Sequence, residues 1–330
     1  MKYAKDTRPK GVANKAAEVL VEALPWIKNI TGKTVVIKYG GSAMVDEQLR
    51  ADVMNDIVLL KIVGVNPVIV HGGGKAITEA MDFLQLPVEF KDGQRVTTPE
   101  AMDLVRTVLM GKVNQELVEA LNEHGNFAVG VSGADAGVIV AEQASPELGR
   151  VGRITRINSP LLDDLVAGDY IPVVASVALG EDGGFYNVNA DMVAGHIAAA
   201  IGAHKVVFLT DVDGLYENFE NKDSLISNLT LFEAQYMIEN NVVSTGMIPK
   251  LKSCVTALDA GVFRAHILNG TTPHSLLLEL LTSTGVGTTM HSTEEACKFD
   301  SHPLGNFASK LLENREQAAA QAAAAERFAG

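Results

Sequence analysis

Cysteine is nearly missing from this sequence. Of 330 residues only Cys254 and Cys297 carry a thiol. Two thiols are too few for a disulfide framework or a zinc site, and both read as ordinary reduced side chains. Basic residues are the next shortage, with 27 Lys and Arg against 40 Asp and Glu and a net charge of −13. That balance argues against a nucleic-acid-binding or anionic-membrane surface. An anionic ligand must then be held by a few placed cations and backbone N–H groups. Long apolar runs are missing too. The stretch VLLKIVGVNPVIV is interrupted at Lys61 and Asn66, short of the roughly 20 residues a membrane span needs. The opening MKYAKDTRPK has no apolar core and is not expected to act as a signal peptide. The expectation is a soluble, cytoplasmic protein with no nucleic-acid or membrane partner.

Familiar nucleotide motifs are also absent. Gly32-Lys33-Thr34 imitates the end of a Walker A loop, but position 27 is Ile and the triplet precedes a strand pattern. No G-x-G-x-x-G follows the first strand candidate, which weakens a dinucleotide reading. The protein-kinase set of glycine loop, HRD and DFG is missing. His71 and the other histidines lack metal-ligand spacing and read as structural, and no internal repeat is visible.

What is present is alternation. Short β-branched runs at 34–38, 67–70, 127–131, 171–175, 205–210 and 266–268 are separated by helical patterns at 46–63, 76–84, 99–123, 190–201, 231–240, 251–260 and 275–282. Such alternation predicts a layered α/β fold around a mainly parallel sheet. Before the first strand, Ala16, Val19, Leu20, Ala23, Leu24 and Ile27 repeat with helical spacing. This amphipathic helix either folds back on its own core or packs on another subunit. Residues from about 291 are polar and then Ala-rich, as expected of a partly disordered tail or a surface helix.

In open α/β sheets ligands gather at the carboxyl ends of the strands. There the sequence places two glycine loops, Tyr39-Gly40-Gly41-Ser42 and His71-Gly72-Gly73-Gly74-Lys75. Glycine brings backbone N–H groups close to a ligand, and a helix start behind it favours anions. Lys38 closes an apolar strand just before the first loop. Lys250 follows Pro249, which reads as the first position of a helix. Phosphoryl transfer needs positive charge around the moving group and little else from the protein, and two loop lysines suit it. Each alone also fits a solvated surface lysine. Asn187-Val188-Asn189-Ala190-Asp191 reads either as a helix cap or as ligand contacts, with Asp191 orienting the lysines. Thr210-Asp211-Val212-Asp213-Gly214 is either a turn or a nucleotide contact. Arg95 is a loop arginine able to fork onto a carboxylate.

The runs KYGGSAM, VIVHGGGKAI, DGQRVTT, VLMGKVNQELV, YNVNADMVAG, LTDVDGLYEN and STGMIPKL, in this order, resemble the amino acid kinase family from about residue 14 to about 290. The resemblance implies an open, mainly parallel sheet in an αβα sandwich with two lobes. It divides the chain into an N-terminal helix for oligomerisation and regulation (1–30), an acylglutamate-binding lobe (31–203), an ATP-binding lobe (204–290) and a tail (291–330). It implies phosphorylation of the side-chain carboxylate of N-acetyl-L-glutamate by ATP, in arginine biosynthesis, with Mg²⁺ carried mainly by the nucleotide phosphates. Carried over by motif, Lys38 and Lys250 stabilise the transferring group and Asp191 holds them. Gly41 faces the nucleotide, Gly73 and Gly74 the acceptor. Arg95 and Asn187 grip the acylamino acid, and Thr210 and Asp211 touch the nucleotide. The extra N-terminal helix resembles that of arginine-inhibited, ring-shaped homohexamers, which makes Trp26, His266 and Glu279 candidate arginine contacts. The sequence departs from the family in four places. Ser42 and Lys75-Ala76 replace the usual Asn and Pro-Gln, and Lys75 adds charge beside the acceptor loop. Ser132-Gly133-Ala134-Asp135-Ala136 lacks the lysine of the usual SGKDG. Trp26 stands where tyrosine is frequent. Another small carboxylate or carbamate kinase, or a non-catalytic arginine sensor, are the competing readings.

Overall fold

The computed structural model describes residues 10–41, 46–91, 93–240, 242–244, 246–282 and 285–292, with side chains from Val19 onward in the first span. The side chain of Ala16 in the apolar stripe, and Ser42, Thr245 of the STGMIPK run, Cys297 and nearly all of the 291–330 tail, lie outside what is described.

Eight strands form the central sheet: β1 (Thr34–Tyr39), β2 (Asn66–His71), β3 (Ala128–Ser132), β4 (Ile171–Ala175), β5 (Lys205–Thr210), β6 (Asn228–Thr230), β7 (Arg264–Asn269) and β8 (Thr288–His291). Their order is β6-β8-β7-β5-β1-β2-β4-β3. From β3 to β7 every pairing is parallel, whereas β8 runs antiparallel to β7. The six strand candidates all enter this sheet. The sequence reading misses β6 and β8, and also a second sheet of four strands over 139–143, 152–157, 177–180 and 185–187.

The parallel strands are buried on both faces. Val35, Val36 and Ile37 of β1 are fully enclosed. Side chains alternate across a sheet, so Val35 and Ile37 join one apolar layer while Val36 joins the other. The first layer is covered by α2 (Glu47–Ile62), α3 (Gly74–Phe83), α4 (Pro99–Val108), α5 (Gln115–Asn122) and α10 (Ser275–Leu281). The second is covered by α6 (Pro160–Ala167), α7 (Ala190–Ala200), α8 (Leu231–Glu239) and α9 (Ile248–Asp259). The helix pattern expected over 99–123 is continuous but changes pitch: Leu109–Asn114 forms a π-helical turn between α4 and α5. Near the end of β3, Ala136 takes a left-handed conformation (φ 50°) where the family motif has glycine. That exchange costs about 1 kcal/mol.

Helix α1 (Lys10–Ile30) precedes β1. Ile30 is buried and Trp26 and Ile27 pack on the first layer, with α1 resting on α10. Val19, Leu20 and Leu24 remain 57–68% exposed, so only one end of the stripe meets the chain's own core. Among the described residues no helix is long and apolar enough to cross a membrane.

Candidate active site

The site lies where β1 and β5 sit side by side while their connections leave in opposite directions, the position at which open α/β sheets bind ligands. On β1, Lys38 follows Val36 by two residues and so turns to the face covered by α7 and α9. Those helices approach closely: a Cβ on Gly195 of α7 would lie 2.6 Å from the Ser253 carbonyl oxygen of α9. Their first turns therefore stand side by side, with Asp191 on one and Lys250 on the other.

Asp191 joins the two lysines. Its Oδ1 lies 3.0 Å from Lys38 Nζ and its Oδ2 accepts from Lys250 Nζ at 3.1 Å. Burial works to raise the Asp191 carboxyl, but the charges of Lys38 and Lys250 and their hydrogen bonds hold it below the usual carboxylate range. Asn189 caps α7 by accepting from the backbone N–H groups of Asp191 and Met192. The Asn-Asp run thus serves both as a cap and as the holder of the lysines. One carboxylate against two ammonium groups leaves net positive charge beside the glycine loops.

A cleft of roughly 700 Å³ opens in front of Lys38, lined by Gly41, Gly73 and Gly74 from the two loops. Gly41 is left-handed (φ 75°), and Gly73 is the residue before α3. A Cβ on Gly73 would meet Leu109 Cδ2 at 2.7 Å, so the loop presses against the π-helical turn. Neither α3 nor α9 has a capping side chain, whereas α2, α4, α7 and α8 do. The first N–H groups of α3 stay available to an anion, whereas in α9 the Ile248 N–H already donates to the Ser244 carbonyl and Pro249 has none. His71 holds the loop from behind. Asn114 Nδ2 donates to His71 Nε2 at 3.0 Å and to the Val173 carbonyl at 2.8 Å, which leaves Nδ1 to donate to the Gly72 carbonyl at 2.9 Å. Burial pushes this ring down to about 4, so it is neutral and structural.

Arg95 sits on a two-residue strand rather than in a free loop. Its guanidinium donates to the Gly74 carbonyl at 2.9 Å and to Thr78 Oγ1 at 2.6 Å. Asn187 Nδ2 donates to Thr97 Oγ1, which donates to the Arg95 carbonyl. These three residues form one chain behind the glycine loop. Thr210 ends β5 and donates to Asp211 Oδ1, while Asp213 accepts from Asn269 and Tyr216. Away from the cleft, His266 and Glu279 are enclosed and bonded to each other at 2.8 Å. Thr289 Oγ1 and the Val286 N–H donate to the same carboxylate. Trp26 reaches this region only through the apolar layer that α1 and α10 share. The sequence reading missed Arg50, Glu79, Lys112 and Glu116 in the cleft wall. Gly111, inside a helical pattern, was the available signal for an irregularity at Lys112.

Residues 33–269 match the amino acid kinase family, and the chain belongs to that family. Within it, the chain is 50% identical over 274 residues to the acetylglutamate kinase of Caldanaerobacter subterraneus subsp. tengcongensis, covering 82% of this chain and 92% of that one. It is 48% identical to the acetylglutamate kinase of Halothermothrix orenii, over 82% and 96% of the two chains. Among solved structures, the fold matches N-acetylglutamate synthase from Neisseria gonorrhoeae complexed with coenzyme A and N-acetyl-glutamate, with a TM-score of 0.73 and 24% identity over 84% of this chain. The match spans 63% of that longer protein and bears on the fold alone.

Proposed function

We infer that this chain phosphorylates the side-chain carboxylate of N-acetyl-L-glutamate with ATP, giving N-acetyl-L-glutamyl 5-phosphate and ADP, in arginine biosynthesis. The observation that carries this reading is the Lys38–Asp191–Lys250 cluster beside two uncapped helix starts, in a chain about half identical to acetylglutamate kinases.

The acceptor carboxylate is already ionised at pH 7, so the attack needs no general base. Its oxygen forms the new bond to the γ-phosphorus as the bond to the β-phosphate oxygen breaks and ADP leaves. Lys38 and Lys250 counter the charge on the transferring group, and Asp191 keeps both ammonium groups fixed before and after transfer. The N–H groups of Gly41, Gly73 and Gly74 hold nucleotide phosphate and acceptor carboxylate. Residues 31–203 act as the acceptor lobe, with Arg95 and Asn187 setting the acylamino acid. Residues 204–290 act as the nucleotide lobe, with Thr210 and Asp211 at the nucleotide. Among the described residues no three carboxylate, histidine or cysteine side chains group as a metal cage. Mg²⁺ carried on the nucleotide phosphates would supply charge neutralisation there. The exposed Val19, Leu20 and Leu24 support packing of α1 on another copy, in a cytoplasmic homohexamer. The contact of α1 with α10 supports arginine inhibition through Trp26, His266 and Glu279.

The test is ADP release from ATP with N-acetylglutamate, glutamate, aspartate or carbamate as acceptor, with and without millimolar arginine. Turnover selective for N-acetylglutamate is expected. Selectivity for another acceptor reassigns the substrate, and no turnover with any acceptor leaves a regulator. Turnover unaffected by arginine removes the inhibition alone.

A further inference from the structure

Among the described residues the N–H groups of Gly73 and Gly74 make no hydrogen bond to the protein. The first bond of α3 runs from the Ile77 N–H to the Gly73 carbonyl, so the helix does not fix the peptide that joins Gly72 to Gly73. With glycine on both sides, that peptide can turn over at little steric cost. Turned one way it shows the cleft an N–H. Turned the other way it shows a carbonyl oxygen, which repels an anion.

A run of side-chain bonds selects between the two. The Val173 carbonyl can only accept, and it lies 2.8 Å from Asn114 Nδ2, which settles the donor end of that amide. The same NH2 group faces His71 Nε2 at 3.0 Å, so Nε2 accepts and the ring proton sits on Nδ1. From there it is donated to the Gly72 carbonyl at 2.9 Å. In a planar trans peptide the C=O and the following N–H point in opposite directions. A Gly72 carbonyl drawn back onto the buried ring therefore sends the Gly73 N–H the other way, to the side where Gly73 and Gly74 line the cleft. Asn114 closes the π-helical turn, and its Oδ1 is buried with no partner. Buried amides rarely leave an oxygen unsatisfied. The donated hydrogens are thus what this position supplies.

We propose that the Val173–Asn114–His71 run sets the direction of the Gly72–Gly73 peptide and so presents the Gly73 N–H to the anion in the cleft, which makes His71 and Asn114 positioning residues for the transfer. Only the identity of that anion rests on the acceptor reading above. Both side chains are fully buried, so they act through the loop and not on the substrates. A donor already aimed at developing charge needs no reorganisation as the charge forms. A purely packing role would depend on the Nε2 contact with Asn114, whereas an orienting role depends on the Nδ1 donor. The two nitrogens can be removed separately.

The asparagine side chain puts an amide nitrogen near the position of Nδ1, and glutamine puts one near that of Nε2. The test is steady-state kinetics with ATP and N-acetylglutamate on His71→Asn, His71→Gln and His71→Leu, with thermal unfolding of each as the measure of packing. His71→Asn is expected to keep kcat within about fivefold, while His71→Gln and His71→Leu lose about 10²-fold, the effect of removing one preorganised donor. Equal losses in all three, or glutamine retaining more kcat than asparagine, would overturn the proposal. The ring proton is also read in the wild-type protein from the ¹⁵N shifts of His71 after selective histidine labelling. Protonation at Nδ1 is expected, and protonation at Nε2 would overturn the proposal by itself. That measurement needs no substitution, so it decides the matter even where a variant fails to fold. If wild type phosphorylates no acceptor, the acceptor reading fails, and the tautomer still tests the peptide's direction.

Discussion

Among the described residues, two buried clusters of ionisable side chains are filled differently. At the β1 carboxyl end, Asp191 takes one ammonium on each oxygen. Each lysine has three donors; Lys250 spends one on Asp191 Oδ2 while Lys38 meets Oδ1 as an ion pair only, so the cluster keeps positive charge and donors for something else. In the second cluster, Glu279 Oε1 accepts from His266 and Thr289 and Oε2 accepts from the Val286 N–H. Both carboxylate oxygens there are engaged by the protein itself, and the atom left without a partner is a ring nitrogen, His266 Nε2. The first arrangement is open to a ligand anion; the second joins β7, β8 and α10 into one unit. Burial and altered acidity are common to both, and spare binding capacity is what separates them.

The comparison breaks most directly at the lysines. Lys38→Ala and Lys250→Ala should each lower kcat by about 10²-fold or more while thermal unfolding moves little, since Asp191 keeps its other partner. Near wild-type kcat in either variant would put that lysine on the structural side. A free-energy effect of similar size, but of the opposite kind, is expected from Glu279→Ala. It strands the donors of His266, Thr289 and Val286 in the interior, and should cost about 3 kcal/mol in urea unfolding with kcat largely kept in the absence of arginine. Unchanged stability would mean that the cluster does not brace the sheet.

The smallest expected effect is a slope with pH. Burial lowers His266 from 6.5 to about 4. Burial works to raise Glu279, but its bond to His266 and its other contacts carry it from 4.5 down to about 2. Both groups bind more protons unfolded than folded, so their contribution is complete above about pH 6.5 and is lost as pH falls toward 2. Asp56, raised by burial to about 6, acts in the opposite sense between 3.8 and 6. The effect should therefore be read as the difference between wild type and Glu279→Gln in urea midpoints across this range. Parallel profiles would show that Glu279 is not held ionised by the fold.

Much of this was legible in the sequence, for identifiable reasons. Val35-Val36-Ile37 reads as a doubly buried strand, and the alternation that buries it also sends Lys38 to the face where Asp191 lies. Pro249 marks the start of α9 and so fixes Lys250. The strands at 228–230 and 288–291 escaped because Asn-Leu-Thr and Thr-Thr-Met-His are too short and polar to register as apolar runs. The 152–157 strand escaped because Arg153 and Arg156 keep it half solvated. Arg95 looked like a free loop donor because pairing of Gln94–Arg95 with Phe90–Lys91 is a tertiary outcome. Lys112 was hidden inside a helical period, since a π-helical turn comes from packing, here against Gly73, and no propensity announces it.

The hydrogen bonds of Asn114 have a consequence for anyone who would move this chemistry elsewhere. The string HGGGK looks portable, but its geometry is set by an amide 43 residues away that is itself tied to the Val173 carbonyl. A transplanted loop would lose its anchor and a shortened α4–α5 segment would lose its clamp. The inheritable unit is therefore a bracket spanning three elements, and grafts or recombination breakpoints between residues 71 and 173 should be designed around it.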